Sequence, residues 1–159
     1  MPPVANGRAG GAEPLDVSGV DHLFGFQLAV AAARARQVFQ AHVGTPFDLR
    51  TVEFTVLMLL RTNRGTSPKR IAQTLNMPAP NVTVLLDRLA ARKLVERRRS
   101  RVDGRALEVL LTADGEALAK RAHAVSLAIE EPLLKRLSPG ERVLLRELLQ
   151  KLGSAEAAG

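Results

Sequence analysis

The chain has 159 residues, of which 46% are hydrophobic, carries a formal net charge of +7 and contains no cysteine. This length and apolar content suit one domain with a core, and the lack of cysteine excludes disulfides, thiolate metal sites and thiol redox sensing. No apolar run approaches the roughly 20 residues that span a bilayer, and the N-terminus lacks the blocks of a signal peptide. We therefore expect a cytoplasmic protein with no membrane partner.

The positive charge is concentrated in the middle third of the sequence. Between Arg61 and Leu111 there are 12 Lys and Arg residues against four acidic residues, whereas the remainder of the chain is nearly neutral. A concentrated basic block beside a foldable motif indicates a phosphate backbone as partner. A solvated basic face would explain the charge equally well, so charge alone leaves both interpretations open.

The N-terminal region divides into an arm and a long helix. Residues 1–17 are rich in proline and glycine and poor in apolar groups, which predicts a flexible arm. From Val20 to about Val43, apolar residues recur every three or four positions, which predicts a helix. Gly44, Thr45 and Pro46 follow, and we expect them to end that helix.

Three shorter helices are predicted next. The first covers residues 51–64, and Ser67 and Pro68 have the residue types of the N-cap and first position of the second. Pro78 keeps that second helix short, and the third extends over residues 81–92. The third helix has four apolar residues at helical spacing that we expect to be buried: Val82, Leu85, Leu86 and Leu89.

The pattern then changes to that of two strands. Residues 94–99 and 106–111 are predicted strands, and Asp103-Gly104 between them is a strong hairpin signal. Short helices followed closely by a hairpin are the arrangement of a winged helix-turn-helix.

Two helices complete the chain. Thr112 is expected to cap a helix that extends to about Arg136, with Pro132 as a kink or break. Ser138 and Glu141 have the spacing of a capping box, which opens a last helix ending near Leu152. This last helix carries more apolar surface than the terminal helix of a small monomer normally hides.

The sequence therefore predicts a mainly α fold, a winged helix-turn-helix with long terminal helices that form a dimerisation region. We assign residues 18–152 to this domain, with a DNA-binding part at about 48–111 and a frayed tail at 153–159. The dimerisation part comprises about 18–47 and 112–152. The residues expected in the dimer interface are Val20, Phe24, Leu144, Leu145, Leu148, Leu149 and Leu152.

An ordered series of motifs resembles the MarR family of bacterial transcriptional regulators. It runs from residues 82–89 (VTVLLDRL) through 93–97 (KLVER) and 103–105 (DGR) to 111–115 (LTADG), and residues 137–142 (LSPGER) resemble the start of the family's last helix. The order and spacing match the family's recognition helix, wing and dimer helix. The resemblance extends over nearly the whole predicted domain and implies a winged-helix dimer that binds double-stranded DNA.

The sequence departs from the family pattern in three places. Pro78 occupies the position where a Ser or Thr usually caps the recognition helix, and Arg50 stands where a cap Thr often begins the helix predicted at residues 51–64. Val84 replaces a basic residue that many members have, and it fits either packing or a contact with a thymine methyl group.

The DNA-binding candidates combine residue chemistry with the resemblance. Asn81 and Thr83 lie in the first turn of the recognition helix, where an amide can bind adenine and a Thr methyl can contact thymine. Backbone N–H groups near Ser67, together with Lys69 and Arg70, are expected to hold a phosphate. The full set is Ser67, Lys69, Arg70, Pro80, Asn81, Thr83, Val84, Arg88, Arg99, Arg101, Asp103 and Arg105.

Two kinds of arginine carry alternatives. Arg88 fits either a phosphate contact or an ion pair with Asp87 or Glu96. Strand alternation divides the wing arginines between two faces, so not all of them can contact DNA together. The resemblance implies that Arg105 enters the minor groove, with Asp103 orienting its turn.

The resemblance also implies a small-molecule effector, commonly aromatic, bound between the dimerisation and DNA-binding parts. Arg34 and Arg36 lie about 200° apart on the first helix, so one of them is expected to face inward and to need an anionic partner. That partner is a ligand carboxylate or phosphate, or an acid such as Glu130 or Glu131; snorkelling to solvent is a further alternative. We predict an anionic aromatic effector or an acyl-CoA thioester, with Arg34, Arg36 and His42 as candidate ligand residues.

These observations predict a homodimeric, ligand-responsive repressor that a small molecule releases from a pseudopalindromic operator. The alternatives are a nonspecific architectural DNA-binding protein without an effector and a protein-interaction module that has lost DNA binding. The three histidines, His22, His42 and His123, lack metal-ligand spacing, and we find no arrangement of nucleophile and base. We expect no metal, no cofactor and no enzymatic activity.

Overall fold

The computed structural model describes residues 15–99 and 107–153 of the chain. The chain divides into two units between Ala35 and Arg36, which we treat separately. Within the described ranges the structure consists of helices and one two-stranded sheet. No helix in these ranges combines the length and apolarity needed to cross a membrane.

Helix α1 comprises Phe24–Phe39 and begins in the first unit. The predicted start near Val20 is wrong by one turn, because residues 18–22 form turns instead, with the Val20 N–H donating to the Val17 carbonyl at 2.9 Å. None of the residues of α1 is buried in the single chain.

The helical path does not end at Gly44, which corrects the prediction of a break there. A π-helical turn spans Gln40–Gly44, and the short helix α2 (Thr45–Phe47) follows without interruption. The Thr45 N–H donates to the Gln40 carbonyl five residues back, and this wider turn accommodates Pro46, which has no N–H. The chain leaves the helix at Asp48, where φ is 49°.

Three helices then form the helix-turn-helix part: α3 (Thr51–Thr62), α4 (Pro68–Thr74) and α5 (Ala79–Ala91). The predicted N-cap of α4 is confirmed, since the Arg70 N–H donates to Ser67 Oγ at 3.3 Å. Helix α5 begins two residues before Asn81. Its predicted buried stripe is also confirmed: Val82, Leu85, Leu86 and Leu89.

The two predicted strands pair in an antiparallel sheet. Strand β1 comprises Val95–Arg99 and β2 comprises Leu107–Leu111, with Val95 opposite Leu111. The Val109 N–H donates to the Thr66 carbonyl at 2.9 Å, which attaches the α3–α4 connection to the sheet. The predicted turn at Asp103-Gly104 lies outside the described residues.

The last two helices are α6 (Ala113–Leu134) and α7 (Pro139–Gly153). Helix α6 begins as predicted at the Thr112 cap, and Pro132 lies inside its last turn without breaking it. The capping box of α7 is confirmed, because the Ser138 N–H donates to Glu141 Oε2 at 2.8 Å and the Glu141 N–H donates to Ser138 Oγ at 3.4 Å.

The core lies in the helix-turn-helix part. Its fully buried side chains come mainly from α3, α4, α5 and the sheet, with small contributions from α6. Helix α7 has no buried residue at all.

Candidate nucleic-acid interface

One face of α5 is buried and the other is exposed to solvent. Because the apolar stripe faces the core, the polar first turn of the helix is left outside, and Pro80, Asn81, Thr83 and Val84 are all exposed. Val84 is 61% exposed, which favours a contact with a partner over packing within the chain. The Thr83 hydroxyl donates to the Ala79 carbonyl at 3.1 Å. The methyl group of Thr83 is therefore the part that remains for the predicted contact with a base.

The start of α4, the helix that precedes α5 in the chain, adds positive charge. Lys69 and Arg70 are exposed there, while the Ser67 hydroxyl is occupied as the helix cap. The predicted phosphate contact at this helix start stays a prediction.

About half of the described cations in the basic block form ion pairs within the protein. Five of its arginines form ion pairs with acids on other elements or loops, with N–O distances from 2.8 to 3.8 Å. The pairs are Arg61–Glu116, Arg88–Glu53, Arg92–Asp48, Arg97–Asp87 and Arg98–Glu108. Within residues 15–99 and 107–153, the exposed basic residues of the block that show no ion pair are Arg64, Lys69, Arg70, Lys93 and Arg99.

The partner of Arg88 differs from those expected. Its Nε atom lies 3.3 Å from Oε1 of the buried Glu53, so the predicted pairing with Asp87 or Glu96 is wrong. Asp87 is instead paired with Arg97 at 2.8 Å. A phosphate contact by Arg88 stays a prediction, but the side chain already has a partner inside the protein.

The wing strand is tied to the recognition helix. Arg97 on β1 donates to the Thr83 carbonyl at 3.3 Å in addition to pairing with Asp87. Its neighbour Arg98 pairs with Glu108 across the sheet at 3.7 Å, as the expected alternation of strand faces requires. Arg99 is exposed at the end of the strand. The other wing candidates, Arg101, Asp103 and Arg105, lie outside the described residues.

Sequence reasoning missed Glu53 and Arg92. Glu53 occupies the third position of α3, where an acid commonly accepts the N-cap N–H, and this spacing was the available signal. Arg92 donates to the carbonyl oxygens of Phe47 (3.1 Å) and Asp48, so it caps the end of α2 across the fold. Since these partners are remote in the sequence, no local pattern indicated that contact.

The residues predicted to form a dimer interface all lie on the surface of the single chain. They are Val20, Phe24, Leu144, Leu145, Leu148, Leu149 and Leu152. The five on α7 form an apolar face whose leucines are 39–62% exposed, and Leu145 and Leu149 also line a groove of about 330 Å³ together with Leu134 of α6.

The three ligand candidates, Arg34, Arg36 and His42, are also exposed. The expectation that one of the two arginines faces inward is wrong for the single chain, because both side chains are exposed to solvent. Glu131, named as a possible partner, binds Arg142 instead through contacts of 2.6 and 3.0 Å. Arg142 lowers the pKa of this carboxyl through those hydrogen bonds.

Three short helices, the last with a buried apolar stripe and an exposed polar first turn, followed by a β-hairpin, define a winged helix-turn-helix protein. Comparison with known proteins gives the family. The sequence model described as "MarR family" matches residues 47–106. The transcriptional repressor Rv2887 of Mycobacterium tuberculosis is 34% identical over 110 residues, which cover 69% of this chain and 79% of the repressor. The chain belongs to the MarR family.

Solved structures agree with this assignment. The transcriptional repressor CouR bound to a 23-mer DNA duplex superposes with a TM-score of 0.82 at 31% identity, covering 89% of this chain and all of CouR. Bordetella bronchiseptica BpsR, whose DNA binding is regulated by 6-hydroxynicotinic acid, superposes with a TM-score of 0.78 at 28% identity, covering 91% of this chain and all of BpsR.

Proposed function

We propose that the protein is a homodimeric transcriptional repressor that binds a pseudopalindromic operator in double-stranded DNA and is released by a small molecule. The observation that carries the proposal is the division of α5, which buries its leucines and exposes Asn81, Thr83 and Val84 beside the cations of α4. Short polar side chains at the start of a recognition helix can reach base edges in the major groove. Exposed cations beside them supply the contacts to phosphates.

The exposed leucines of α7 support the dimer. A two-fold dimer places two recognition helices in successive major grooves, about 34–36 Å apart, so the operator should be a pseudopalindrome. The DNA complex of CouR, a relative over its whole length, supports duplex DNA as the partner.

The experiment that tests this function is selection of genomic DNA fragments by the purified protein, followed by footprinting. One discrete, two-fold symmetric protected site is the expected result. Uniform coverage would favour the architectural alternative instead, and failure to retain any DNA would favour a protein-interaction module.

We further propose an anionic aromatic effector, either a free acid or its acyl-CoA thioester. Two observations support it: Arg34 and Arg36 are exposed cations on α1, and the regulator of BpsR is itself an aromatic acid. A ligand anion would give an arginine a bidentate partner. His42, on the π-helical turn that follows α1, is the third candidate.

Calorimetric titration with a panel of aromatic acids and CoA thioesters tests the effector proposal. We expect Arg34→Ala or Arg36→Ala to weaken the tightest anionic ligand, while the control Arg136→Ala, at an exposed site after α6, leaves it unchanged. If the tightest binder is uncharged, or if neither substitution matters, this effector class is wrong and the operator proposal is unaffected.

A further inference from the structure

Glu53 is a charged side chain in a place where charge is costly. It lies in the first turn of α3 and is 0% exposed. One carboxylate oxygen, Oε2, accepts the Arg50 N–H at 2.8 Å and so caps the helix. Burial of an ionised carboxylate is unfavourable by several kcal/mol unless its charge is met by a nearby cation.

The cation that meets this charge comes from the recognition helix. Arg88, in the last turn of α5, brings its Nε to 3.3 Å from the second oxygen, Oε1. Oε1 accepts no hydrogen bond within the described part of the chain, so its compensation there is this ion pair. The Arg88 side chain is 41% exposed, whereas the Glu53 side chain is 1% exposed. The contact therefore joins a fixed, buried anchor on α3 to a side chain at the surface of α5.

Arg88 is also placed to control the reading end of its helix. It follows Asn81 by seven residues, which is about two turns or 10 Å along the axis, and both residues lie near the same side of α5. A small rotation of α5 on α3 at Arg88 therefore turns Asn81 by the same angle. The apolar contacts of Val82 and the α5 leucines hold the helix against the core, and the pair between Arg88 and Glu53 adds an electrostatic contact with a fixed partner on the side of the helix that carries Asn81.

We infer that Glu53 is a positioning residue for operator recognition: through Arg88 it fixes the rotation of α5 and hence where Asn81 meets the bases. Glu53 is buried and cannot contact DNA itself. This role rests on the proposed operator binding.

A competing role for Arg88 makes a different prediction. If Arg88 binds a phosphate directly, its removal weakens binding to every duplex and lowers the salt dependence by about one counterion. If Arg88 acts with Glu53 to position α5, its removal affects the operator and leaves the salt dependence unchanged. Glu53 then shows the same effect, and the two substitutions are not additive.

The experiment is a double-mutant cycle with Glu53→Gln, Arg88→Gln and the double variant. Glutamine at position 53 keeps an acceptor for the Arg50 N–H and replaces the charged oxygen that faces Arg88 with a neutral amide group. The control is Glu116→Gln, because it makes the same change in net charge but breaks an exposed ion pair with Arg61 away from α5 and the wing, with side chains 48% and 32% exposed. Affinity for the operator and for a random duplex is measured over a range of salt, at a temperature where circular dichroism shows each variant folded.

We expect Glu53→Gln to weaken operator binding by about tenfold, the effect of one misplaced base contact, and to change random-duplex binding less than about twofold. The double variant should be no weaker than Glu53→Gln. Glu116→Gln should leave operator affinity within about twofold of wild type. If Arg88→Gln fails to fold because Glu53 is left unpaired, Glu53→Gln and its control still decide the matter.

Two results would overturn the inference alone: operator affinity of Glu53→Gln equal to that of Glu116→Gln, or equal losses on operator and random DNA. A wild-type protein that binds operator and random duplexes equally would overturn the proposed function as well, because there would be no base reading to position.

Discussion

The helix-turn-helix part and the last helix differ in where their apolar surface lies. Helix α5 buries every member of its leucine stripe inside the chain, whereas α7 leaves all of its leucines on the surface. Both helices show the apolar spacing of an amphipathic helix, so the difference does not lie in their patterns. It shows that one part completes its core within a single chain, and it supports the proposal that a second chain covers the other.

The largest effect should come from disrupting the exposed apolar face of α7. Leu145→Asp with Leu148→Asp places two carboxylates on the exposed apolar face of α7, and we expect a monomer or an aggregate by size-exclusion chromatography. Since one half-site would then bind alone, operator affinity should fall by about a hundredfold or more.

The matched control puts the same two side chains at Lys135 and Arg136, which are exposed polar positions before α7. That variant should remain dimeric. A well-folded dimer of normal stability after the leucine substitutions would show that this face is not the interface.

The next largest effect tests how closely the buried part of the chain is packed. A Cβ at Gly115, in the first turn of α6, would lie 1.9 Å from the Leu94 carbonyl oxygen. That oxygen also accepts the Thr112 N–H at 3.1 Å, so it cannot move away freely. We expect Gly115→Ala to lower the free energy of unfolding by about 3 kcal/mol in urea denaturation.

Gly140, in the first turn of α7, provides the control, because a Cβ there meets nothing within 4 Å. Gly140→Ala should be neutral or stabilise the protein by up to about 0.5 kcal/mol through helix propensity. Equal losses at the two glycines would mean that the close approach at Gly115 does not determine stability.

A smaller effect separates base reading from charge. Asn81→Ala should cost about 2 kcal/mol on the operator and little on random DNA, because it removes a hydrogen-bonding group without removing a cation. The control is Asn63→Ala at the end of α3, where the amide donates to the Leu59 carbonyl. Equal losses on both DNAs for Asn81→Ala would remove its role as a base reader.

The smallest effect concerns the cap of α7. The Ser138 N–H lowers the pKa of Glu141 below its ordinary value of 4.5. Because the pKa is lowered in the folded state, the charged cap stabilises the protein when the pH is above 4.5. This stabilisation is lost as the pH falls from 4.5 through the lower pKa of the folded state. Glu141→Gln should therefore have a lower melting temperature than wild type at neutral pH.

In a series of melting curves, that difference should shrink as the pH falls below 4.5. Glu147→Gln, an exposed change of the same charge further along α7, controls for the helix as a whole. A difference that is constant with pH would show that the carboxylate charge does not contribute to the cap.

Much of the fold could be predicted because its signals are local. The caps at Ser67, Thr112 and Ser138 and the stripe of α5 depend on residues within one or two turns of each other. The end of the first helix could not be predicted in this way. Gly44 and Pro46 are strong breaking residues, but a π-helical turn removes the conflict by shifting the backbone hydrogen bond by one residue.

The candidate site also has features with local sequence signals and features without them. Exposure of Asn81 and Thr83 followed from the position of the buried stripe, since the outer face of an amphipathic helix is the face left over, whereas the sequence left open whether Val84 packs or is exposed. The role of each arginine did not follow, because the sequence gives the charge of the basic block but not the acids that surround it. Arg88 was one of several cations in that count until the fold placed it against Glu53.

The sequence by itself determined the order of helices and strands, the family and the side of α5 that faces out, because these depend on periodicity and on motifs of short range. Only the tertiary structure decided which cations remain available to a partner. Five arginines of the block pair with acids on other elements or loops, at distances set by packing rather than by spacing along the chain. An ion pair forms where the fold brings two charges within a few ångströms, and the separation of those residues in the sequence does not fix that distance.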